Sequence, residues 1–141
     1  SSYSLPPPAM FGTFQQTCLR IEVKASQDEI RSALLKPEQF RQWLWPQSFA
    51  PGLPAELTVD LTFTSHLGPL EIQHQVTEVS DNHLIMLLSG GINGFHEWYW
   101  GDRWVQARLE GVSVLPLNLG QNLAMVRLQQ TLEKPAASQP A

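Results

Sequence analysis

Cysteine is almost absent from the sequence, which contains one, Cys18, among 141 residues. A single thiol cannot form an internal disulfide, so the fold must be stabilised by its core alone, and this usage favours a reducing compartment. No motif around Cys18 indicates an activated thiol, because the residue falls on the polar side of an alternating segment. We therefore expect a cytoplasmic protein whose cysteine is inert.

Charged residues are also scarce, at 16% of the chain, with a formal net charge of −4 and no run of Lys or Arg. Nucleic-acid-binding proteins usually present a basic face, so we expect no nucleic-acid partner. Long apolar runs are missing as well. The longest, residues 84–88, has the length of a strand rather than of a membrane span. The sequence has no basic start followed by an apolar stretch, so we expect neither a signal peptide nor a membrane span.

Proline marks the two ends of the chain. Three consecutive prolines at 6–8 lie in a segment without periodicity, so residues 1–15 are expected to form an extended arm. Residues 135–141 are rich in Pro and Ala and are expected to form a flexible tail. The intervening residues, 16–134, have the size of one domain.

The first part of this domain predicts a strand followed by two short helices. Residues 17–25 alternate between apolar and polar side chains, which is typical of a half-buried strand. Ser26 and Glu29 have the spacing of a capping box, which predicts a helix start. Pro37 ends this helix and can begin a second one, which Pro46 then ends.

Residue 56 begins a series of alternating segments that predicts antiparallel hairpins. The turn signals lie at 67–68, 81–82 and 101–102, and two-residue loops there put mostly apolar residues on one common inner face. The pairs expected to face each other include Phe63 with Ile72, Leu61 with His74, Val59 with Val76, Val76 with Leu87, His74 with Ser89, and Trp98 with Val105. Six strands are evident, and a seventh could lie in residues 111–115.

The last segment of the domain has apolar residues at helical spacing. Ala124, Met125, Leu128 and Leu132 predict a helix over about residues 117–134. A strand through Leu123 and Met125 is the alternative interpretation of the same residues.

This order of elements resembles the helix-grip fold of the START-like superfamily, which includes birch-pollen-allergen-like proteins and polyketide cyclases (SRPBCC proteins). The resemblance is clearest in Ala-Ser-Gln-Asp-Glu-Ile at 25–30, in Leu-Lys-Pro-Glu-Gln-Phe-Arg-Gln-Trp at 35–43 and in Trp-Gly-Asp-Arg-Trp at 100–104. It implies an α+β fold in which a curved antiparallel sheet wraps a long C-terminal helix. It also implies a cavity for a hydrophobic ligand, although the fold by itself specifies no chemistry.

Two histidines on the predicted inner face are candidates for chemistry. His74 interrupts an otherwise apolar strand face, and a buried imidazole needs a hydrogen-bond partner, which Ser89 could supply. His96 shares the inner face of a neighbouring strand with Trp98 and Trp100. Each histidine could be an acid/base, a ligand anchor or simply a satisfied core residue. No spacing of His, Cys, Asp or Glu resembles a metal site, so we expect no metal and no cofactor.

Tryptophan is abundant, with 5 in the chain. Trp98 and Trp100 would either bind a flat apolar ligand or pack in the core. The predicted outer face would carry a second apolar group that suggests a homodimer or partner surface. Its members are Leu84, Met86, Leu88, Tyr99 and Trp104. Glu97 and Arg108 would pair across strands on the same face.

Three functions are compatible with these features. The first is binding of a hydrophobic or aromatic small molecule, such as a lipid, isoprenoid, pigment or polyketide, between the sheet and the last helix. The residues expected to line that site are Leu61, Phe63, Ile72, His74, Leu87, His96, Trp98, Trp100, Val105 and Leu128. The alternatives are a protein-interaction or dimerisation module that uses the outer sheet face, and a cyclase or aromatase with His74 or His96 as acid/base.

Overall fold

The structure, a computed structural model, describes residues 12–134 and contains seven strands and three helices in this range. In chain order they are β1 (Thr13–Glu22), α1 (Gln27–Leu35), α2 (Pro37–Trp43), β2 (Ser48–Phe49), β3 (Thr62–Leu67), β4 (Leu70–Val79), β5 (His83–Gly90), β6 (Ile92–Gly101), β7 (Trp104–Ser113) and α3 (Leu117–Leu132). The strands form one antiparallel sheet in the order β1-β7-β6-β5-β4-β3-β2. This arrangement confirms the predicted α+β helix-grip fold.

The two short helices begin where the local sequence predicts. Ser26 accepts a hydrogen bond from the Glu29 backbone, and the Glu29 side chain accepts one from the Ser26 backbone, which completes the capping box. Pro37 occupies the first turn of α2. The Trp43 indole Nε1 donates to the Ala33 carbonyl at 3.0 Å, so α2 is fixed against α1.

The strand boundaries differ from the predicted ones at three places. β1 begins at Thr13, so residues 13–15 of the predicted arm belong to the sheet, while residues 1–11 and the predicted tail lie outside the described residues. β3 begins at Thr62 rather than near residue 57 because Asp60 adopts a φ of 72°, which turns the chain. Val59 is therefore 49% exposed, and its predicted position opposite Val76 is wrong. The seventh strand is the short β2, whereas residues 111–113 extend β7.

Two hairpins turn one residue later than predicted, which moves each register by two residues. The β3–β4 loop is Gly68-Pro69, where Gly68 has a φ of +61° that glycine adopts without strain. The β6–β7 loop is residues 102–103. Because a shift of two preserves the face on which each side chain lies, the inner face is as predicted although its pairs are not. The pairs found include Phe63 with His74, Ser65 with Ile72, and Trp98 with Ala107.

A β-bulge in β4 has a larger effect, because it changes the face of every β5 residue beyond it. The β4–β5 register shifts at Thr77, so one strand carries an extra residue. His74 consequently faces Leu88, not Ser89, and Val76 faces Met86, not Leu87. Leu84, Met86 and Leu88 are buried on the inner face, and Leu87 is 49% exposed on the outer face. The predicted inner position of Leu87 and the predicted outer patch through Leu84, Met86 and Leu88 are therefore wrong.

The last helix packs across the inner face of the sheet and is attached to it by a buried amide. Gln121 accepts a hydrogen bond from Thr17 Oγ1 at 2.8 Å and donates to the Ala107 carbonyl at 2.9 Å. Met125 and Leu128 follow on the same buried side of α3. The helix prediction is confirmed and the alternative strand interpretation is wrong. One side of the sheet therefore holds the core and all three helices, and this side also contains the candidate site.

Candidate functional site

A cavity of ≈ 340 Å³ lies between the inner face of the sheet, the connection that follows α2, and α3. We call it the main cavity. Trp43 and Trp98 contribute two aromatic rings to its wall. Its aliphatic wall includes Ile72, Leu88, Ile92, Leu109 and Leu117. The site therefore offers a mostly apolar surface with flat aromatic groups, which is typical of small-molecule sites.

A second, much smaller space of ≈ 60 Å³ continues deeper between the sheet and the two short helices. We call it the inner pocket, and Phe40, Phe49 and Phe63 are among the residues that line it. The main cavity and the inner pocket share one wall. Its members are Trp43, Leu44, Gln47, His74, His96 and Trp98. Both candidate histidines therefore belong to the partition between the two spaces.

The opening of the main cavity lies between the residues after α2 and the exposed side of α3. Trp45 is 63% exposed and Leu123 is 46% exposed, and both line the cavity. Arg127 donates a hydrogen bond from its guanidinium to the Trp45 carbonyl, and its Cζ lies 4.8 Å from the centroid of the Trp45 ring. This contact connects the two sides of the opening. Gly120 also lines the main cavity on this side, and a Cβ added to Gly120 would meet nothing within 4 Å.

His74 lies on the inner face of β4, as predicted, but its hydrogen-bond partner is not the predicted Ser89. The imidazole Nε2 lies 2.8 Å from Ser65 Oγ on the neighbouring strand, and Ser65 is fully buried. The Gln47 amide nitrogen donates to the same hydroxyl oxygen at 2.8 Å. Burial lowers the pKa of His74 to about 4. The ring is therefore neutral at pH 7.

His96 lies on β6, and β5 separates its strand from that of His74. Its ring is tilted against Trp98, with centroids 4.9 Å apart. Burial, and secondarily the nearby His74, lowers the pKa of His96 to about 3. The residue as a whole is only half-buried because it faces the cavity, yet its Nε2 is buried and has no hydrogen-bond partner among residues 12–134.

The other residues expected to bind a ligand occupy different positions. Ile72 and Trp98 line the main cavity, and Phe63 lines the inner pocket. Trp100, Val105 and Leu128 are each 0% exposed and belong to the closed core rather than to the walls of these two spaces. Leu61 is half-buried just before β3, and Leu87 lies on the outer face. The ligand-binding role of each residue remains a prediction.

Sequence reasoning missed much of the aliphatic wall of the main cavity, such as Leu88 and Ile92. It also missed Trp43, Trp45, Gln47, Ser65 and Arg127. The signal for Ser65 was present, because it alternates with Phe63 and so shares the inner face. Gln47 and Arg127 carried no such signal, since their contacts depend on the path of the chain between α2 and β3. Trp43 reads as the apolar side of a helix, and only the packed structure shows that it lines a cavity.

The outer face of the sheet keeps only part of its predicted apolar group. Tyr99 and Trp104 lie there as predicted, and the Arg20 guanidinium covers the Trp104 ring at 4.3 Å from its centroid. Glu97 and Arg108 are neighbours in the β6–β7 register, although the Arg108 side chain forms its ion pair with Glu110 at 3.3 Å. Cys18 is exposed on the same sheet, opposite Arg108 on β7.

Two further features of residues 12–134 bear on function. The longest helix, α3, has 16 residues, and no described helix has the length and hydropathy needed to cross a membrane. Nor do the described side chains bring together three His, Cys, Asp or Glu residues that could hold a metal ion.

Comparison with solved structures identifies the fold of this chain, whereas the comparisons of its sequence with family models and curated proteins found no match. No protein-family model matches the sequence, and the comparison with curated proteins found no match. Solved structures do match. The Aha1 dimer from Colwellia psychrerythraea aligns over 85% of this chain and 97% of its own, with a TM-score of 0.64 and 15% identity.

Two other solved structures give the same result. The Mll3558 protein from Rhizobium loti aligns over 88% of this chain and 98% of its own, with a TM-score of 0.70 and 12% identity. DynU16, a protein in the dynemicin biosynthetic locus, aligns over 84% of this chain and 47% of its own, with a TM-score of 0.64 and 19% identity. At these identities the similarity shows the fold alone. The chain has the α+β helix-grip fold that its element order predicts.

Proposed function

We propose that this protein binds an apolar small molecule with aromatic character in the main cavity. The observation that carries the proposal is the cavity itself, with its three tryptophan side chains, its aliphatic wall and its opening beside α3. Its volume of ≈ 340 Å³ lies within the range of about 300–1,000 Å³ that is usual for small-molecule sites. The predicted ligand classes are lipids, isoprenoids, pigments and polyketides.

The arrangement of charge supports binding rather than catalysis. Arg127 is the one permanently charged side chain among the described residues that line the main cavity. Its guanidinium is hydrogen-bonded to the Trp45 carbonyl at the opening. His74 and His96 are neutral at pH 7, and with pKa values of about 4 and 3 they are weak general bases. A cyclase or aromatase is therefore the weaker proposal, because it lacks an acid or base matched to neutral pH.

The interaction hypothesis also loses support, since three of the five residues proposed for an outer apolar patch are buried on the inner face. Tyr99 and Trp104 remain outside, and Trp104 is covered by Arg20. One solved neighbour is a dimer, so a homodimer through the outer face stays a prediction for this chain. The mass of the protein in solution decides whether it is a dimer.

Native mass spectrometry of the protein isolated from its source organism tests the binding proposal. We expect a mass excess that disappears on extraction with organic solvent, and an apolar compound in stoichiometric amount in the extract. The same spectrum reports the oligomeric state. A protein that carries no extractable compound and binds no apolar aromatic probe in titration would contradict the proposal.

A further inference from the structure

Gln47 and His74 line the main cavity and are connected behind its wall by the hydroxyl of Ser65. Gln47 donates its amide N–H to Ser65 Oγ at 2.8 Å, and Ser65 Oγ lies 2.8 Å from His74 Nε2. Ser65 is 0% exposed. No other hydrogen-bond partner of the Ser65 hydroxyl is found among the described residues, so these two contacts decide where its proton lies.

The hydroxyl has one proton, and its oxygen already accepts from Gln47. If it also accepted from a protonated His74 Nε2, two buried groups would have no partner, the proton of Ser65 and the lone pair of His74 Nδ1. If Ser65 instead donates to an unprotonated Nε2, only the Nδ1–H group is unpaired, so this arrangement leaves fewer buried polar groups unsatisfied. Since the imidazole is neutral, its proton then lies on Nδ1. Gln47 and Ser65 therefore select the Nδ1–H tautomer of His74.

This tautomer leaves a donor that the described residues do not satisfy. His74 Nδ1 is buried and has no hydrogen-bond partner in the part of the chain that the structure describes, and His96 Nε2 is in the same situation. His74 is 7% exposed and belongs to the wall shared by the main cavity and the inner pocket. Buried polar groups are normally paired, and an unpaired one needs an explanation.

We infer that the ligand of the main cavity carries a hydrogen-bond-accepting oxygen, such as a ketone or quinone carbonyl, that accepts from His74 Nδ1–H. Gln47 and Ser65 act as positioning residues that hold the donor on the correct nitrogen. The inference rests on the proposed function and narrows it, because a purely aliphatic ligand would leave the donor unpaired. The preferred class is an aromatic or polycyclic compound with a carbonyl at one end.

Two probes of matched shape test this inference, 2-acetylnaphthalene and 2-ethylnaphthalene. The quantity measured is the ratio of their two Kd values, obtained from tryptophan fluorescence titration of the wild type and of His74→Phe. Comparing ratios removes the difference in how water solvates the two probes. The phenyl ring of the variant keeps the stack on Phe63 and lacks the donor. We expect the preference for the ketone to fall by about two- to twelve-fold in the variant, the range expected for one hydrogen bond.

A measurement on the wild type keeps the test independent of the variant's folding. The ¹⁵N shifts of the His74 ring should show a protonated Nδ1 and an unprotonated Nε2 in the wild type. Ser65→Ala should shift this tautomer ratio toward Nε2–H, a change that a purely structural role of Ser65 would not produce. A wild-type ring protonated on Nε2 would overturn the inference.

The outcomes separate the inference from the proposed function. If both probes bind and the ratio is the same in wild type and His74→Phe, the oxygen-acceptor inference is wrong while the binding proposal stands. If neither probe binds to the wild type and the isolated protein carries no extractable compound, the binding proposal fails and the inference fails with it. If the preference for the ketone falls in His74→Phe and the wild-type ring is the Nδ1–H tautomer, both the oxygen-acceptor inference and the binding proposal are supported.

Discussion

The imidazole of His74 stacks on the ring of Phe63, with centroids 4.5 Å apart and planes within 2° of parallel. The two residues are direct partners in the β3–β4 register, so the stack follows from the position of the Gly68-Pro69 loop. The Phe63 ring covers one face of the imidazole and keeps water from it. The low pKa of His74 is a consequence of this burial.

Stability is expected to fall as the pH drops from 6.5 to about 4. The unfolded chain binds a proton at each of these imidazoles below the ordinary pKa of 6.5, whereas folded His74 and His96 stay neutral down to about 4 and 3. Acid therefore favours the unfolded state, and each ring should lower the free energy of unfolding by about 2 kcal/mol at pH 5 relative to pH 7.5.

Urea unfolding of the wild type and His74→Phe at pH 7.5 and 5.0 measures this effect. The variant should lose about 2 kcal/mol less than the wild type between the two pH values. An equal loss in both proteins would mean that His74 titrates normally in the folded state, and that the described burial of its ring is wrong.

A bulky side chain at Gly120 should obstruct ligand entry without disturbing the core. Gly120 lies at the opening, where an added Cβ meets nothing within 4 Å. Gly120→Phe should weaken binding of 2-acetylnaphthalene at least tenfold and leave the fold intact, since removing a helical glycine also favours α3. The matched control is Gln130→Phe on an exposed part of α3 that lines neither cavity. Equal Kd values for the two variants would show that ligands do not enter beside Gly120.

We expect the Arg127 contact with Trp45 to affect the rate at which a ligand leaves the main cavity more than the equilibrium affinity for that ligand. Without the guanidinium, the segment after α2 loses both a hydrogen bond and the stacking contact that hold it against α3. Arg127→Ala should therefore raise the dissociation rate of 2-acetylnaphthalene several-fold in stopped-flow fluorescence. Arg20→Ala is the control, because Arg20 stacks on Trp104 on the outer face. A larger change of the dissociation rate in Arg20→Ala than in Arg127→Ala would show that the ligand binds on the outer face of the sheet and not in the main cavity.

Leu84 and Leu87 provide a direct test of the β-bulge. They lie three residues apart on β5, yet Leu84 is 2% exposed and Leu87 is 49% exposed. Leu84→Ala should destabilise the protein by about 2–5 kcal/mol because it leaves a cavity in the core, whereas Leu87→Ala should change stability by about 0.5 kcal/mol. Thermal or urea unfolding of the two variants decides between the registers. The reverse order would restore the register that simple alternation predicts.

Much of the fold could be predicted because its signals are local. The Ser26–Glu29 capping box and Pro37 mark helix starts within a few residues, and alternation fixes the inner face even where a hairpin turns one residue late. The bulge at Thr77 could not be predicted, since no single residue type requires one, and it reversed every β5 assignment. This reversal removed Leu84, Met86 and Leu88 from the predicted outer patch and moved Leu87 out of the site.

The candidate site was harder to predict than the fold. His74 and His96 could be recognised as polar residues on an apolar face, but their partners could not. Gln47 reaches Ser65 only because the two-residue strand β2 brings the chain beside β3. Such a contact depends on tertiary structure and leaves no periodic pattern in the sequence.

The five indole N–H resonances of the protein provide the most direct test that the main cavity binds an apolar ligand. Trp43, Trp45 and Trp98 line this cavity, whereas Trp100 is closed in the core and Trp104 lies on the outer face. In a ¹H–¹⁵N NMR titration with 2-acetylnaphthalene, we predict saturable shifts of the first three resonances and none of the other two. Unchanged resonances of Trp43, Trp45 and Trp98 at saturating probe, or shifts confined to Trp104, would contradict binding in this cavity.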